Sequence, residues 1–435
     1  MILGCKLSDR PIAIDLFAGA GGLSLGLEQA GFDVRCAVEI DPIHACVHKF
    51  NFPECSVVAR SVEEIDGAYI RKAAGLKARE KVDLIAGGAP CQGFSLIGQR
   101  ALDDPRNSLV KHFIRLISEI KPSYFLFENV KGITVGKHKQ ILNEIIDELT
   151  SIGYNVVSPW KVLNAKNYGV PQSRERLFLM GARKGKALPS YPVEDEEIIT
   201  CEEALSDIPD AEQFEELLGS DEVKFKYLKR AKGYSSLMRC SSSSAWKYGY
   251  KRKWNKQLLT SSLRTDHTDI SRRRFGETEP GNVEKISRFY KLSKAGVSNT
   301  LRAGTDSARG AFTSPRPIHY EFARCITVRE MARLHGFPDW FRLHETKWHG
   351  ARQVGNAVPP PLAFRVGSEI VKAGKYKISS PGNTLDLGDK SLLTLDMSSA
   401  SKYWGINTPI AKRNRKSGLT KRKQRDIETE LKRAS

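Results

Sequence analysis

The stretch GGAPCQGFS, residues 87–95, holds one cysteine between a proline and a glutamine, directly after a run that is typical of the end of a buried strand. A cysteine thiolate is a strong nucleophile, so Cys91 is a candidate for covalent catalysis. A buried cysteine with only a structural role is the commoner case, and Cys91 alone does not decide between the two. The polar, glycine-containing loop that follows, residues 92–107, could close over a substrate.

A pattern suited to a nucleoside lies near the start of the chain. In IDLFAGAGG, Gly19, Gly21 and Gly22 separate a predicted strand from a predicted helix. Glycine there permits a tight turn and lets a ligand lie against the backbone. Glu39 ends the next apolar run, where a carboxylate would accept hydrogen bonds from both ribose hydroxyls, and Ile40 would lie on the adenine. Alternatively, the glycines serve only packing and Glu39 is a surface charge.

Two other motifs carry charge beside apolar runs. Glu128 stands at the tip of YFLFENV, and Arg174 and Arg176 lie two residues apart in PQSRERLF. On a strand, both arginines would face the same side. They would then form an anion or carbonyl clamp beside Cys91, and the alternative is an edge-strand salt bridge with Glu175 or its neighbours.

Short apolar runs alternate with helical patterns through the first 185 residues. This alternation predicts an α/β fold with a doubly wound, mainly parallel sheet. Such sheets bind ligands at the carboxyl ends of their strands, so Gly19, Glu39, Cys91 and Glu128 should converge on one crevice. The runs that predict strands are 11–17, 34–40, 82–88, 124–130 and 176–182, and apolar residues recur at helical spacing in 109–120 and 141–152.

Composition divides the chain into four parts. Residues 1–190 would form the first part of a catalytic domain and residues 321–375 its closing part, because the latter segment is too short for a core of its own. Residues 191–320 would form an inserted recognition domain, and residues 376–435 a basic C-terminal extension. Within the insert, residues 221–275 hold fifteen Lys or Arg against four Asp or Glu, with aromatic residues between them. This composition favours nucleic-acid binding, and a solvated basic surface is the alternative.

Overall composition excludes several classes of protein. The chain has 435 residues, of which 40% are hydrophobic, so it can bury a full core and is not a disordered protein. Its eight cysteines are scattered without a CxxC pair, and we expect neither a disulfide framework nor a metal site. The start does not resemble a signal peptide, and no apolar run approaches the roughly 18 residues of a membrane span. We therefore expect a soluble, cytoplasmic protein.

The ordered set DLFAGAGG, Glu39, PCQGFS, ENV, QSRER, TVRE and RQVGNAVPP spans residues 11–372. In this order the motifs resemble those of a DNA (cytosine-5)-methyltransferase of the restriction–modification type, although each motif alone is a weak signal. The resemblance implies the S-adenosylmethionine-dependent methyltransferase fold and S-adenosylmethionine as cofactor. It also implies a reaction at carbon 5 of a cytosine that is flipped out of double-stranded DNA and held in a covalent cysteine adduct.

The same resemblance implies roles for individual residues. Cys91 would be the nucleophile, Glu128 and Arg176 would hold the cytosine, and the insert would be the target-recognition domain. The residues that would contact the cofactor are Phe17, Gly19, Gly21, Glu39 and Asn356. The residues expected to contact DNA include Gln92, in the loop after the nucleophile, and the pair Thr300 and Leu301 in NTLRAG, which would back the active site. Arg272 and Arg274 in HTDISRRRF are also expected to contact DNA, although this stretch could equally be a solvated basic helix.

One position departs from the family pattern. Members usually carry an acidic residue after the third strand, near the adenine amine, where VVARSVEEI offers Ser61. Either Glu63 or Asp66 takes over, or adenine recognition is looser. We expect a nucleoid-associated monomer, with a cognate restriction endonuclease as a separate protein. The alternatives are a tRNA methyltransferase, an inactive DNA-binding regulator and a nicotinamide dehydrogenase, and Ser24 in the glycine pattern contradicts the last.

Overall fold

The computed structural model describes residues 10–77, 79–90, 102, 107–136, 138–304 and 315–408. Its strands are β1 (Ile12–Leu16), β2 (Asp33–Val38), β3 (Ser56–Val58), β4 (Leu84–Gly87), β5 (Tyr124–Val130), β6 (Tyr154–Val156), β7 (Lys161–Asn164), β8 (Glu175–Arg183), β9 (Val223–Lys224), β10 (Lys251–Arg252), β11 (Leu258–Leu259) and β12 (Thr384–Leu385). Its helices are α1 (Gly22–Ala30), α2 (Pro42–Asn51), α3 (Gly67–Ala73), α4 (Ser108–Ile120), α5 (His138–Ser151), α6 (Cys201–Leu205), α7 (Gly233–Met238), α8 (Asp269–Glu277), α9 (Val328–Leu334), α10 (Lys347–Asn356), α11 (Pro360–Gly374) and α12 (Met397–Trp404). Over these ranges, no helix has both the length and the apolar character that crossing a membrane requires.

An eight-stranded sheet organises the first half of the chain. Its order is β3-β2-β1-β4-β5-β8-β6, with β7 also paired to β8. Strands β1 to β5 are parallel to their neighbours, whereas β8 is antiparallel to β5 and to both β6 and β7. The fold is thus the α/β fold with a mainly parallel sheet that the sequence predicts.

Both faces of the sheet are covered, which explains why its strands read as continuous apolar runs. Neighbouring strand residues point to opposite faces: Leu84 and Ala86 join one buried cluster, and Ile85 joins the other. Helices α1, α2 and α11 supply apolar residues to the first cluster, and α3, α4 and α5 to the second. The loops at the carboxyl ends of β1, β2, β4 and β5 are therefore held on a rigid layer.

The late segment packs back on the first sheet. Helix α11 lies along α1 so closely that a Cβ on Gly26 would come within 2.3 Å of the Ala363 Cβ. This close packing brings the carboxyl end of the preceding helix, α10, to the same edge of the sheet as the glycine turn. The division of the chain into domains stays a prediction, and apolar side chains from 201–259 share a buried cluster with α1 and α11.

Candidate active site

The glycine turn after β1 holds a buried carboxylate. Phe17 and Gly19 adopt left-handed backbone conformations, with φ of 60° and 55°. The Gly19 N–H donates to Glu39 Oε2 at 2.8 Å, and the Asp41 N–H donates to Glu39 Oε1 at 2.8 Å. Burial raises the pKa of Glu39, although these two hydrogen bonds oppose the rise. Each carboxylate oxygen keeps a further lone pair for a ligand hydroxyl.

A second carboxylate stands at the end of β5. The Arg176 Nε lies 3.0 Å from Glu128 Oε1, and both side chains are largely buried. Burial raises the pKa of Glu128, and the charges of Arg176 and Arg174 counteract that rise. Because β8 is antiparallel to β5, Arg176 pairs with Val130 and lies diagonally across from Glu128.

Arg174 joins three segments that are distant in sequence. It is 1% exposed, and its guanidinium donates to the carbonyls of Leu301 at 3.0 Å, Gly355 at 2.8 Å and Ala357 at 3.0 Å. Burial lowers its pKa to about 9. The hydrogen bonds indicate that Arg174 fixes the carboxyl end of α10 against the strand that carries Arg176, rather than offering its charge freely.

The Thr–Leu pair is anchored at this junction. The Thr300 hydroxyl donates to the Ser173 carbonyl at 2.7 Å, and the Leu301 N–H donates to Gln172 Oε1 at 3.1 Å. Leu301 is 1% exposed, so its side chain packs in the core and has almost no surface for DNA in this conformation.

One cavity of about 700 Å³ is lined by both carboxylates and both arginines, but neither Thr300 nor Leu301 is among its lining residues. Pro90 lines this cavity. The Asn129 amide donates to the Ala89 carbonyl at 2.8 Å, and this hydrogen bond fixes the backbone directly before Pro90. Cys91 and Gln92 lie outside the described residues. The predicted site residues that line the cavity are Phe17, Gly19, Glu39, Ile40, Glu128, Arg174, Arg176 and Asn356.

Gly21 is predicted to contact the cofactor, but it is not among the lining residues, and a Cβ there would come within 2.4 Å of the Phe52 ring. Ser61 does line the cavity. Glu63 does not, and its Oε1 accepts a hydrogen bond from the Ser108 hydroxyl at 2.9 Å. Asp66 caps α3 by accepting from the Tyr69 N–H at 2.7 Å. Neither acid is therefore placed to replace the missing adenine contact.

Sequence reasoning missed several lining residues. Asn129 follows Glu128 directly, and its amide side chain was the available signal. Arg60 and Val62 lie in VVARSVEEI, and Arg352 and Gln353 lie in RQVGNAVPP, but these motifs assign them no role. His44 and Met397 also line the cavity, and no motif indicates them. Among the residues that the structure describes, no cluster of three or more His, Cys, Asp or Glu could hold a metal ion.

The basic helix α8 is engaged partly within the protein. Arg272 pairs with Glu212 and donates from Nε to the His267 carbonyl at 3.1 Å. The Arg274 Nε lies 3.6 Å from Glu284 Oε1. Arg273, between them, is exposed. The predicted DNA contacts of Arg272 and Arg274 would have to compete with these pairs.

The cavity suits S-adenosylmethionine. Among the residues that the structure describes, none has an atom within 4 Å of where a Gly19 Cβ would stand. These residues leave the backbone of the turn open, and Glu39 presents a buried carboxylate beside it. A mainly parallel sheet with this turn and this acid at its carboxyl edge defines an α/β enzyme that binds a nucleoside cofactor, the class to which S-adenosylmethionine-dependent methyltransferases belong.

Comparison with known proteins gives the family. A model described as C-5 cytosine-specific DNA methylase matches residues 12–372. The chain belongs to this family, and it is an enzyme that methylates carbon 5 of cytosine in DNA with S-adenosylmethionine as methyl donor. Family membership rules out the nicotinamide dehydrogenase interpretation.

Individual relatives agree with this assignment. Type II methyltransferase M.XorII of Xanthomonas oryzae pv. oryzae is 56% identical over 407 residues, covering 93% of this chain and 95% of the relative. The match to M.XorII covers more of the chain than residues 1–372 contain, so it extends beyond residue 372, where the family model ends. Type II methyltransferase M.DdeI of Desulfomicrobium norvegicum is 33% identical, and the match covers 82% of this chain and 88% of the relative. A crystal structure from E. coli, of a protein assigned as a DNA modification methyltransferase encoded within a prophage, superposes with a TM-score of 0.69 at 32% identity, covering 83% of this chain and 99% of that chain.

Proposed function

We propose that the chain is the modification enzyme of a type II restriction–modification system, acting on one cytosine within a specific double-stranded DNA sequence. The names of the relatives M.XorII and M.DdeI support this class. We further propose that it acts as a monomer in the cytoplasm, associated with the nucleoid, and protects DNA from a cognate endonuclease that is a separate protein. The basic insert, residues 191–320, would form the target-recognition domain.

The observation that carries the site assignment is the buried Glu128–Arg176 pair, which lines the same cavity as Glu39 and Gly19. One end of the cavity thus suits a ribose and the other a planar polar base. Pro90 lies in the wall of this cavity, and Cys91 follows it directly in the sequence. The Cys91 thiol is therefore proposed as the nucleophile.

Carbon 5 of cytosine is a poor nucleophile, and the protein groups must raise its electron density. The Cys91 thiolate adds to carbon 6, which makes carbon 5 an enamine carbon. Glu128, whose pKa burial raises, would donate a proton at ring nitrogen 3. Arg176 lies beside Glu128, where it stabilises the charge that develops on the base carbonyl. S-adenosylmethionine supplies an electrophilic methyl group to carbon 5.

The later steps restore the aromatic ring. Carbon 5 loses its proton, the carbon–sulfur bond breaks, and the thiolate leaves. The cytosine has to be flipped out of the duplex first, at a cost of a few kcal/mol. The loop that follows Cys91 and the recognition insert would close on the DNA from opposite sides, while basic side chains bind phosphates.

Trapping with a modified substrate tests the proposal. 5-Fluorocytosine carries fluorine in place of the hydrogen on carbon 5, so after methyl transfer no proton can leave that carbon and the carbon–sulfur bond cannot break. With duplex DNA that carries this base at the target site, the adduct should therefore accumulate when S-adenosylmethionine is present. Intact-mass and peptide analysis should locate the adduct on Cys91, and Cys91→Ser should abolish it while DNA binding persists. Cys201→Ser, a change at a buried cysteine in α6, should keep the adduct. An adduct that survives in Cys91→Ser would overturn the assignment, and methyl transfer to tRNA but not to duplex DNA would overturn the substrate.

A further inference from the structure

The segment after α11 wraps around α2, the helix that follows the cofactor strand. The family model ends at residue 372, so this segment lies outside the part of the chain that the family match covers. Strand β12 pairs in parallel with β10, and the Gly388 N–H donates to the Phe50 carbonyl at 2.8 Å. Leu392 and Leu393 are buried next to α2. The segment is therefore attached along the length of α2.

The last helix of the segment, α12, is fixed at both ends. Asp396 caps its start by accepting from the Ser399 N–H at 2.8 Å. The carbonyl of Leu395, just before it, bonds His344 Nε2 at 3.1 Å. At its other end, the Trp404 Nε1–H donates to the Pro42 carbonyl at 3.1 Å. Since Pro42 is the first residue of α2, these contacts hold α12 over the point where α2 begins.

This placement brings Met397, the first residue of α12, into the wall of the active-site cavity. Its side chain is half-buried and packs against the main apolar cluster. We propose that Met397 contacts the nucleoside half of S-adenosylmethionine, so that the C-terminal segment contributes directly to cofactor binding. A thioether side chain is flexible and polarisable, which suits contact with an aromatic base or a sugar face.

The nucleoside half is favoured by position. Helix α12 packs on the start of α2, which follows directly on Glu39 and Ile40, whereas Glu128 stands at the tip of β5. The inference rests on the proposal that Glu39 holds the ribose. It predicts that Met397 changes cofactor affinity and leaves the reaction of bound substrates unchanged.

Calorimetric titration of the full chain with S-adenosylhomocysteine tests the inference without catalysis. Met397→Ala should raise the Kd about 10-fold, since a lost apolar contact in a pocket costs about that much. Met397→Leu keeps the apolar volume and should stay within about 2-fold of the unchanged protein. Trp404→Phe, which removes the hydrogen bond to Pro42, should raise the Kd by a smaller factor. Lys402→Ala, at an exposed residue of α12, is the matched control and should change nothing.

Turnover measurements separate affinity from chemistry. Met397→Ala should raise the KM for S-adenosylmethionine and leave kcat and the Kd for duplex DNA unchanged. If Met397→Ala left the Kd for S-adenosylhomocysteine unchanged while Glu39→Ala raised it, the inference would be overturned and the proposed cofactor site would stand. Unchanged affinity in both variants would overturn both. A lower kcat in Met397→Ala at saturating cofactor would also count against the inference.

Discussion

Replacing Gly88 with alanine should displace the Glu128 carboxyl and slow methyl transfer. A Cβ at position 88 would stand 2.7 Å from Glu128 Oε2, whereas ordinary contact begins at 3.4 Å. The carboxyl cannot swing away freely, because it is buried and held by Arg176 at 3.0 Å. It must therefore shift by about 0.7 Å, the difference between those two distances. A displacement approaching 1 Å in an active site costs up to about 100-fold in rate, so we expect a fall in kcat of roughly 10-fold to 100-fold.

Single-turnover methylation of duplex DNA, with the labelled methyl group counted on the DNA, measures this loss. The Kd for S-adenosylhomocysteine should remain close to that of the unchanged protein, because the Glu39 end of the cavity is untouched. Gly132→Ala is a matched control: the atom of the described residues nearest to its Cβ would be Val130 Cγ2, at 3.9 Å. Wild-type turnover in Gly88→Ala would refute the argument that the position of the Glu128 carboxyl limits the reaction.

Other changes should give equally specific results. Glu128→Gln should slow single-turnover methylation by about 100-fold or more, and it should remove the fall in rate that occurs as the pH rises and this carboxyl, whose pKa burial raises, loses its proton. Arg333→Ala leaves Asp339 buried without its bidentate partner and should lower the free energy of unfolding in urea by about 3–5 kcal/mol, whereas Arg273→Ala, at an exposed residue, should change it by less than about 0.5 kcal/mol. Burial raises the pKa of Asp15 to about 7, so the folded state binds this proton more tightly than the unfolded state and loses stability as the pH rises from about 4 to 7; Asp15→Asn should flatten that decline in urea titrations.

The sequence was sufficient for the centre of the fold and most of the cavity. Buried strands in a doubly wound sheet read as continuous apolar runs, and ligands collect at their carboxyl ends. The sequence alone thus predicts that Glu39 and Glu128 share one crevice, and they line the same cavity. The residue roles and the domain boundaries stay predictions.

Other features depend on contacts that no local pattern encodes. Strands β3, β6 and β7 are three or four residues long, too short for a periodicity to register. Arg174 reads as a clamp in the sequence, yet its donors go to carbonyls more than 120 residues away. Met397 stands in a segment of loose composition, and only the wrapping of that segment around α2 brings it to the cavity.

The antiparallel direction of β8 makes the Glu128–Arg176 pair sensitive to insertions and deletions in that strand. In a parallel partner of β5, the beginning of the strand would lie at the far side of the sheet, and Arg176 would be remote from Glu128. Antiparallel pairing instead places Arg176 close to Glu128, because Arg176 lies opposite Val130 at the carboxyl end of β5. Side chains alternate with a period of two, so a slip of one residue between these strands would turn the guanidinium to the other face. The orientation of the base that we propose therefore depends on the register of β8 against β5, and an insertion or deletion inside β8 should be far more damaging than one in the loops that flank it.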